Sequence, residues 1–144
     1  MSKFFVLQQM ELNKVALYEY KRIPSAALVR GKDISMIALA DAGRDSMVMC
    51  FYLVYCTASG EKVSSLLMSQ SYLMTPISTI PKSELHILSL AATMLREIRS
   101  ELPEFLSNII LAGDSLCSTY WVLSESQDLS IYVSNRVSNI KTKN

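Results

Sequence analysis

The stretch ISMIALAD, residues 34–41, decides the fold. It is apolar apart from Ser35, and it ends on an aspartate. Apolar side chains at both odd and even positions describe a strand buried on both faces, as at the centre of a sheet. NIILAGD, residues 108–114, repeats the pattern: an apolar run, one glycine, then Asp114. An acid at the end of a buried strand is costly unless something pairs with it. Glu84 adds a third carboxylate, in the first turn of a helix expected over 81–102. Three such acids point to a shared divalent cation. Mg²⁺ prefers carboxylate oxygens, and two Mg²⁺ ions about 3.5–4 Å apart drive in-line phosphoryl chemistry.

The rest of the composition sets bounds. A chain of 144 residues fits one domain. Half of it is hydrophobic and 19% is charged, which excludes a disordered chain. A net charge of +1 weighs against binding driven by bulk positive charge. The charge is uneven, because residues 1–33 carry six Lys/Arg against three acids and the remainder carries eight against ten. Cys50, Cys56 and Cys117 form no C-x-x-C and sit in apolar surroundings. They read as reduced core residues of an intracellular protein, cytoplasmic or nuclear. Structural zinc is disfavoured, since His86 is the sole histidine. The opening residues lack a signal-peptide pattern, and the longest apolar run, Met47–Cys56, is about half a membrane span. No membrane partner is expected.

Along the chain, residues 1–33 read as a lead-in segment, with Pro24 breaking any helix and Gly31 marking a turn. Strands are expected over 34–40, 47–57 and 63–69, as an antiparallel meander. Turns fall at 41–46 and 58–62, the latter around Gly60. Residues 71–79 read as loop. Thr79 is a candidate N-cap, with Pro81 in the first turn, and Leu85, Leu88, Ala92, Leu95 and Leu102 share a helical stripe. A short strand over 108–112 follows. Two helices come next: 115–123, and 131–140 with Val133, Val137 and Ile140 on one stripe. The fold class is α/β, a mixed sheet with helices. If the fourth strand lies parallel beside the first, Asp41 and Asp114 meet at neighbouring carboxyl ends, where open sheets bind ligands.

Several segments together carry a resemblance. They are Ala40-Asp41-Ala42 with Tyr52-Leu53, Thr79 to Leu85 (TIPKSEL), Gly113-Asp114-Ser115 with Trp121, and Tyr132 to Ile140 (YVSNRVSNI). In order and spacing, from about Ile23 to Ile140, they resemble the ribonuclease H-like domain of BEL/Pao-type retrotransposon polyproteins. The resemblance implies a metal-dependent nuclease that hydrolyses RNA in RNA–DNA hybrids. It implies Asp41, Glu84 and Asp114 as catalytic metal ligands, and Mg²⁺ or Mn²⁺ as cofactor. It implies recognition through backbone and 2′-hydroxyls rather than base sequence.

The sequence departs from the family pattern at Gly43, Lys82 and Gly113, where the family has Ser, Arg and Thr. The family also continues through a further strand and a helix carrying a fourth acidic ligand, which no residue up to Asn144 matches. The expectation is a partial domain over 34–144, with an open sheet edge and reduced or lost turnover. Two alternatives stay open: a non-catalytic nucleic-acid-binding or interaction module, and a degenerate element fragment.

Each acid also has a plain structural reading. Asp41 suits a turn, Glu84 complements a helix dipole, and Asp114 suits an N-cap. Asp45 reads as an exposed turn residue. His86 lies away from the helix face of Glu84, and Trp121 reads as a packing residue. Asn135 and Arg136 fit either phosphate contact or a solvated helix face. Ser115 has no histidine partner, so a nucleophilic serine is excluded.

Overall fold

The computed structural model describes residues 3–4, 34–57, 59–74, 78–102, 106–125 and 128–142. Almost all of the lead-in segment, with its basic residues other than Lys3, and with Pro24 and Gly31, lies outside the described residues, as do Pro76 and Pro103. Five strands are described. They are β1 (Lys3–Phe4), β2 (Ile34–Ala42), β3 (Ser46–Cys56), β4 (Lys62–Leu73) and β5 (Leu106–Gly113). Three helices accompany them: α1 (Ile80–Glu101), α2 (Leu116–Leu123) and α3 (Ile131–Lys141). The sheet is mixed, in the order β1-β5-β2-β3-β4. Strands β2, β3 and β4 form the antiparallel meander, and β5 lies parallel to β2. The fold is α/β, with the meander and the parallel fourth strand where the sequence placed them.

Alternation explains the core. In β2, Ile34, Met36, Ala38, Ala40 and Ala42 are buried, and in β3 Met47, Met49, Phe51, Leu53 and Tyr55 are buried. Their register places them on one sheet face: Met36 opposite Leu53, Ala38 opposite Phe51, Ala40 opposite Met49. Helix α1 packs on that face through Leu85, Leu88, Ala92 and Leu95, four of the five positions of the expected stripe. The fifth, Leu102, is the C-cap. Thr79 is the N-cap and makes no side-chain capping bond, while the Ser78 and Ser83 hydroxyls hydrogen-bond at 2.7 Å beside it. Helix α3 adds Val133, Val137 and Ile140 to the core, and Trp121 packs against it partly buried.

A polar clamp fixes α3 to α1. Arg96 Nη1 donates to the Asn139 carbonyl at 2.8 Å, and Nη2 donates to Asn139 Oδ1 at 2.6 Å and to Thr93 Oγ1 at 3.2 Å. Asn139 Nδ2 donates to the Ser89 carbonyl at 3.0 Å, to Ser89 Oγ at 2.8 Å and to Thr93 Oγ1 at 3.0 Å.

Four expectations are corrected. Strand β2 runs on to Ala42, so Asp41 is not in the turn but pairs with Val48. The turn itself is tighter, closed by Gly43 N–H donating to the Ser46 carbonyl at 2.8 Å. Strand β4 runs to Leu73, and Ser71, Tyr72 and Leu73 pair with Val48, Met47 and Ser46. Its serines read as loop because an edge strand with a solvent-facing side alternates polar residues without breaking. A strand not expected from the sequence, β1, lies beside β5: Lys3 and Phe4 pair with Ile110 and Leu111. The cysteines are free, but only Cys50 is even half-buried; Cys56 ends β3 and Cys117 lies exposed on α2. The hairpin glycine is as expected, since Gly60 takes φ +83°, a left-handed conformation that costs it nothing.

Candidate metal centre

Two strand ends and one helix start build the site. Asp41 is the penultimate residue of β2, and Asp114 follows the last residue of β5. The parallel register sets Ala40 beside Gly113, so the two aspartates leave neighbouring strands at the same end. Gly113 permits this approach. A Cβ there would lie 3.1 Å from a Leu88 methyl of α1 and 3.4 Å from the Ala40 carbonyl of β2. Glu84 comes from the first turns of α1. One carboxylate oxygen from each of Asp41, Glu84 and Asp114 lies within 4.8 Å of the others.

All three expected acids therefore come together, and among the described residues no fourth acid joins them. Asp45 is not in the group. Asp41 and Asp114 are exposed and Glu84 is half-buried, so the cluster opens to solvent on one side. Three like charges at this range repel. Burial and the neighbouring Asp114 charge raise the Asp41 pKa above the ordinary carboxylate value, against a hydrogen bond from the Ala42 backbone. Glu84 is raised by burial and by the charges of Asp114 and Asp41, and a hydrogen bond from Ser115 opposes this. The donor set is all carboxylate oxygen, the chemistry that fits a hard divalent cation such as Mg²⁺ or Mn²⁺ and not a soft one.

Ser115, set aside above as a nucleophile, has two structural tasks. Its hydroxyl accepts from Ser118 N–H at 3.2 Å as the N-cap of α2, and it supports the Glu84 carboxylate. The N-cap reading of Asp114 is thus corrected, since the cap is the next residue. A serine directly before a helical apolar run is the signal that could have found it.

Arg136 is not a free solvated residue. Its Nε donates to His86 Nδ1 at 3.1 Å, Nη1 donates to the Tyr132 carbonyl at 3.2 Å, and its guanidinium stacks 3.4 Å from the Tyr132 ring centroid. Burial and the Arg136 charge lower the His86 pKa, which keeps Nδ1 an acceptor. Asn135 is exposed on α3. No described helix is long and apolar enough to cross a membrane.

The sequence model of one family, described as the Pao retrotransposon-like RNaseH-like domain, matches residues 8–115. That stretch contains Asp41, Glu84 and Asp114. Among solved structures, the chain is similar to RNase H1 from the halophilic archaeon Halobacterium salinarum NRC-1. The identity is 15%, 74% of each chain is covered, and the TM-score is 0.44. No curated protein matches.

Proposed function

The chain belongs to the Pao retrotransposon-like RNaseH-like domain family, and from that premise we propose that it is a metal-dependent nuclease domain acting on the RNA strand of RNA–DNA hybrids. The observation that carries this reading is the meeting of three carboxylates within 4.8 Å at the ends of two parallel strands and the start of a helix. Asp41, Glu84 and Asp114 would hold the cation. Bound there, divalent cations supply charge stabilisation for in-line displacement at phosphorus and a water acidified for attack.

The chain's own residues prepare that chemistry. Asp41 and Asp114 stand on the ends of paired strands, so their spacing is set by the sheet rather than by a loop. Ser115 holds the Glu84 carboxylate by a hydrogen bond and anchors α2 behind it. The exposed side of the cluster leaves room for a phosphodiester. A hybrid duplex would be read through its backbone and 2′-hydroxyls, with little preference among base sequences.

The test is cleavage of a labelled RNA–DNA hybrid by the purified chain with Mg²⁺ or Mn²⁺, beside Asp41→Asn. A cation's charge stabilisation of several kcal/mol corresponds to about 100-fold or more in rate, so the variant should lose at least that much. A folded chain that binds the hybrid and leaves it intact would overturn the enzyme reading in favour of a binding module.

A further inference from the structure

Two sequence segments near the acid corner hold residues that the corner does not use. Lys82 stands in TIPKSEL, and Tyr132 and Arg136 stand in YVSNRVSNI. The fold brings these three together. Helices α1 and α3 run side by side with their starts at the same end. Tyr132 Oη donates to the Lys82 carbonyl at 3.5 Å, Arg136 meets His86, and Asn139 meets Ser89. Two cations converge on one ring. The Arg136 guanidinium lies 3.4 Å from the Tyr132 centroid, and Lys82 Nζ lies 5.7 Å from it.

This positive charge has no counter-charge. Among the described residues, neither Lys82 nor Arg136 pairs with a carboxylate. The helix ends add to the imbalance. A helix start carries partial positive charge and favours an acid. Neither α1 nor α3 has an acid in its first turn. Lys82, the third residue of α1, is a cation set against the dipole. Packing alone does not ask for it, since Lys82 is exposed. An anion bound there relieves the repulsion between the two cations and the two helix starts.

Arg136 is prepared to receive one. Its Nε is held by His86 at 3.1 Å and its Nη1 by the Tyr132 carbonyl at 3.2 Å. Stacking on Tyr132 fixes the plane of the guanidinium. Nη2 keeps no protein acceptor among the described residues. A planar fork already held in place loses little freedom when it takes a phosphate oxygen, and Lys82 adds a flexible point charge beside it.

We propose that Lys82, Tyr132 and Arg136 seat a backbone phosphate of a bound nucleic acid, across the start of α1 from the acid corner. Lys82 and Glu84 are separated by about 200° around the helix, so the seat and the corner flank α1 at a spacing of roughly 10 Å. A duplex carries one charge per about 1.7 Å of its axis, so one substrate reaches both. Such a seat rests on the proposed nucleic-acid substrate and needs no cleavage by the acids.

The test is fluorescence anisotropy of a labelled RNA–DNA hybrid titrated with the full chain at fixed Mg²⁺ and several KCl concentrations. All variants are made in the Asp41→Asn background, so that the hybrid stays intact. Lys82→Gln should weaken binding and lower the log–log salt slope by about 1, the signature of one lost phosphate contact. Arg136→Gln should do the same. Lys62→Gln, which removes an equal charge at the start of β4, should keep the parent slope. Lys82 is exposed and its Nζ makes no hydrogen bond among the described residues, so Lys82→Gln decides the matter even where Arg136→Gln loosens α3. An unchanged slope in Lys82→Gln, or an equal fall in Lys62→Gln, would overturn the seat and leave hybrid binding standing. No hybrid binding by either the wild-type or the Asp41→Asn chain would overturn both.

Discussion

At its amino end α1 brings Glu84 among two other acids, while farther along Ser89, Thr93 and Arg96 meet Asn139 of α3 with donors and acceptors matched. The same helix thus carries two polar junctions of opposite character. In the second, a guanidinium finds a carbonyl, an amide oxygen and a hydroxyl, and the Asn139 amide group finds three acceptors. Such a junction stabilises the fold, because each desolvated group keeps a partner. In the first, three anionic groups share one corner and two have raised pKa values. Repulsion of that kind is tolerated where a ligand relieves it. The contrast separates residues that hold the molecule together from residues that, in the proposed function, would hold a cation.

The most disruptive way to break the comparison is at the clamp. Asn139→Ala removes both the acceptor for Arg96 and the donor to Ser89 and Thr93, leaving a guanidinium short of partners. The expected loss is about 2–3 kcal/mol in urea denaturation. Ser115→Ala should cost less, about 1 kcal/mol, for the α2 cap. It should also raise the Glu84 pKa further, measurable by NMR titration, since the opposing hydrogen bond is gone.

The acid corner should behave in the reverse sense. Without a cation, Asp41→Asn should stabilise the fold, by about 0.2–1 kcal/mol after solvent screening. The pH dependence follows in sign. Asp41 and Glu84 hold their protons more tightly in the folded chain than in the unfolded one. Their contribution favours folding at low pH, where they are protonated. It is lost as the pH rises through the raised folded values. Thermal unfolding in a chelating buffer should show this decline as the pH rises above the ordinary carboxylate values, reduced in Asp41→Asn.

Much of the fold was legible because single runs carried it. Residues 34–40 and 108–112 are apolar on both parities, which placed them inside the sheet, although only alternate residues of the first run, and Leu111 and Ala112 of the second, are fully buried. The meeting of Asp41 and Asp114 followed from those runs lying parallel. Strand β1 was not legible, because two residues carry no periodicity and their pairing with Ile110 and Leu111 is purely tertiary. The end of β4 was misread since serine spacing alone does not separate an edge strand from a loop. The clamp joins residues more than forty positions apart, and no local pattern announces it. Ser115 was passed over as the α2 cap in favour of Asp114, and its bond to Glu84 depends on α1 and α2 converging.

The central claim, that Asp41, Glu84 and Asp114 form a divalent cation site, is tested most directly by calorimetric titration of Mn²⁺ into the wild-type chain and into Asp114→Asn at neutral pH. Saturable binding by the wild type that disappears in a folded variant is the predicted result. Equal uptake by both chains would contradict it.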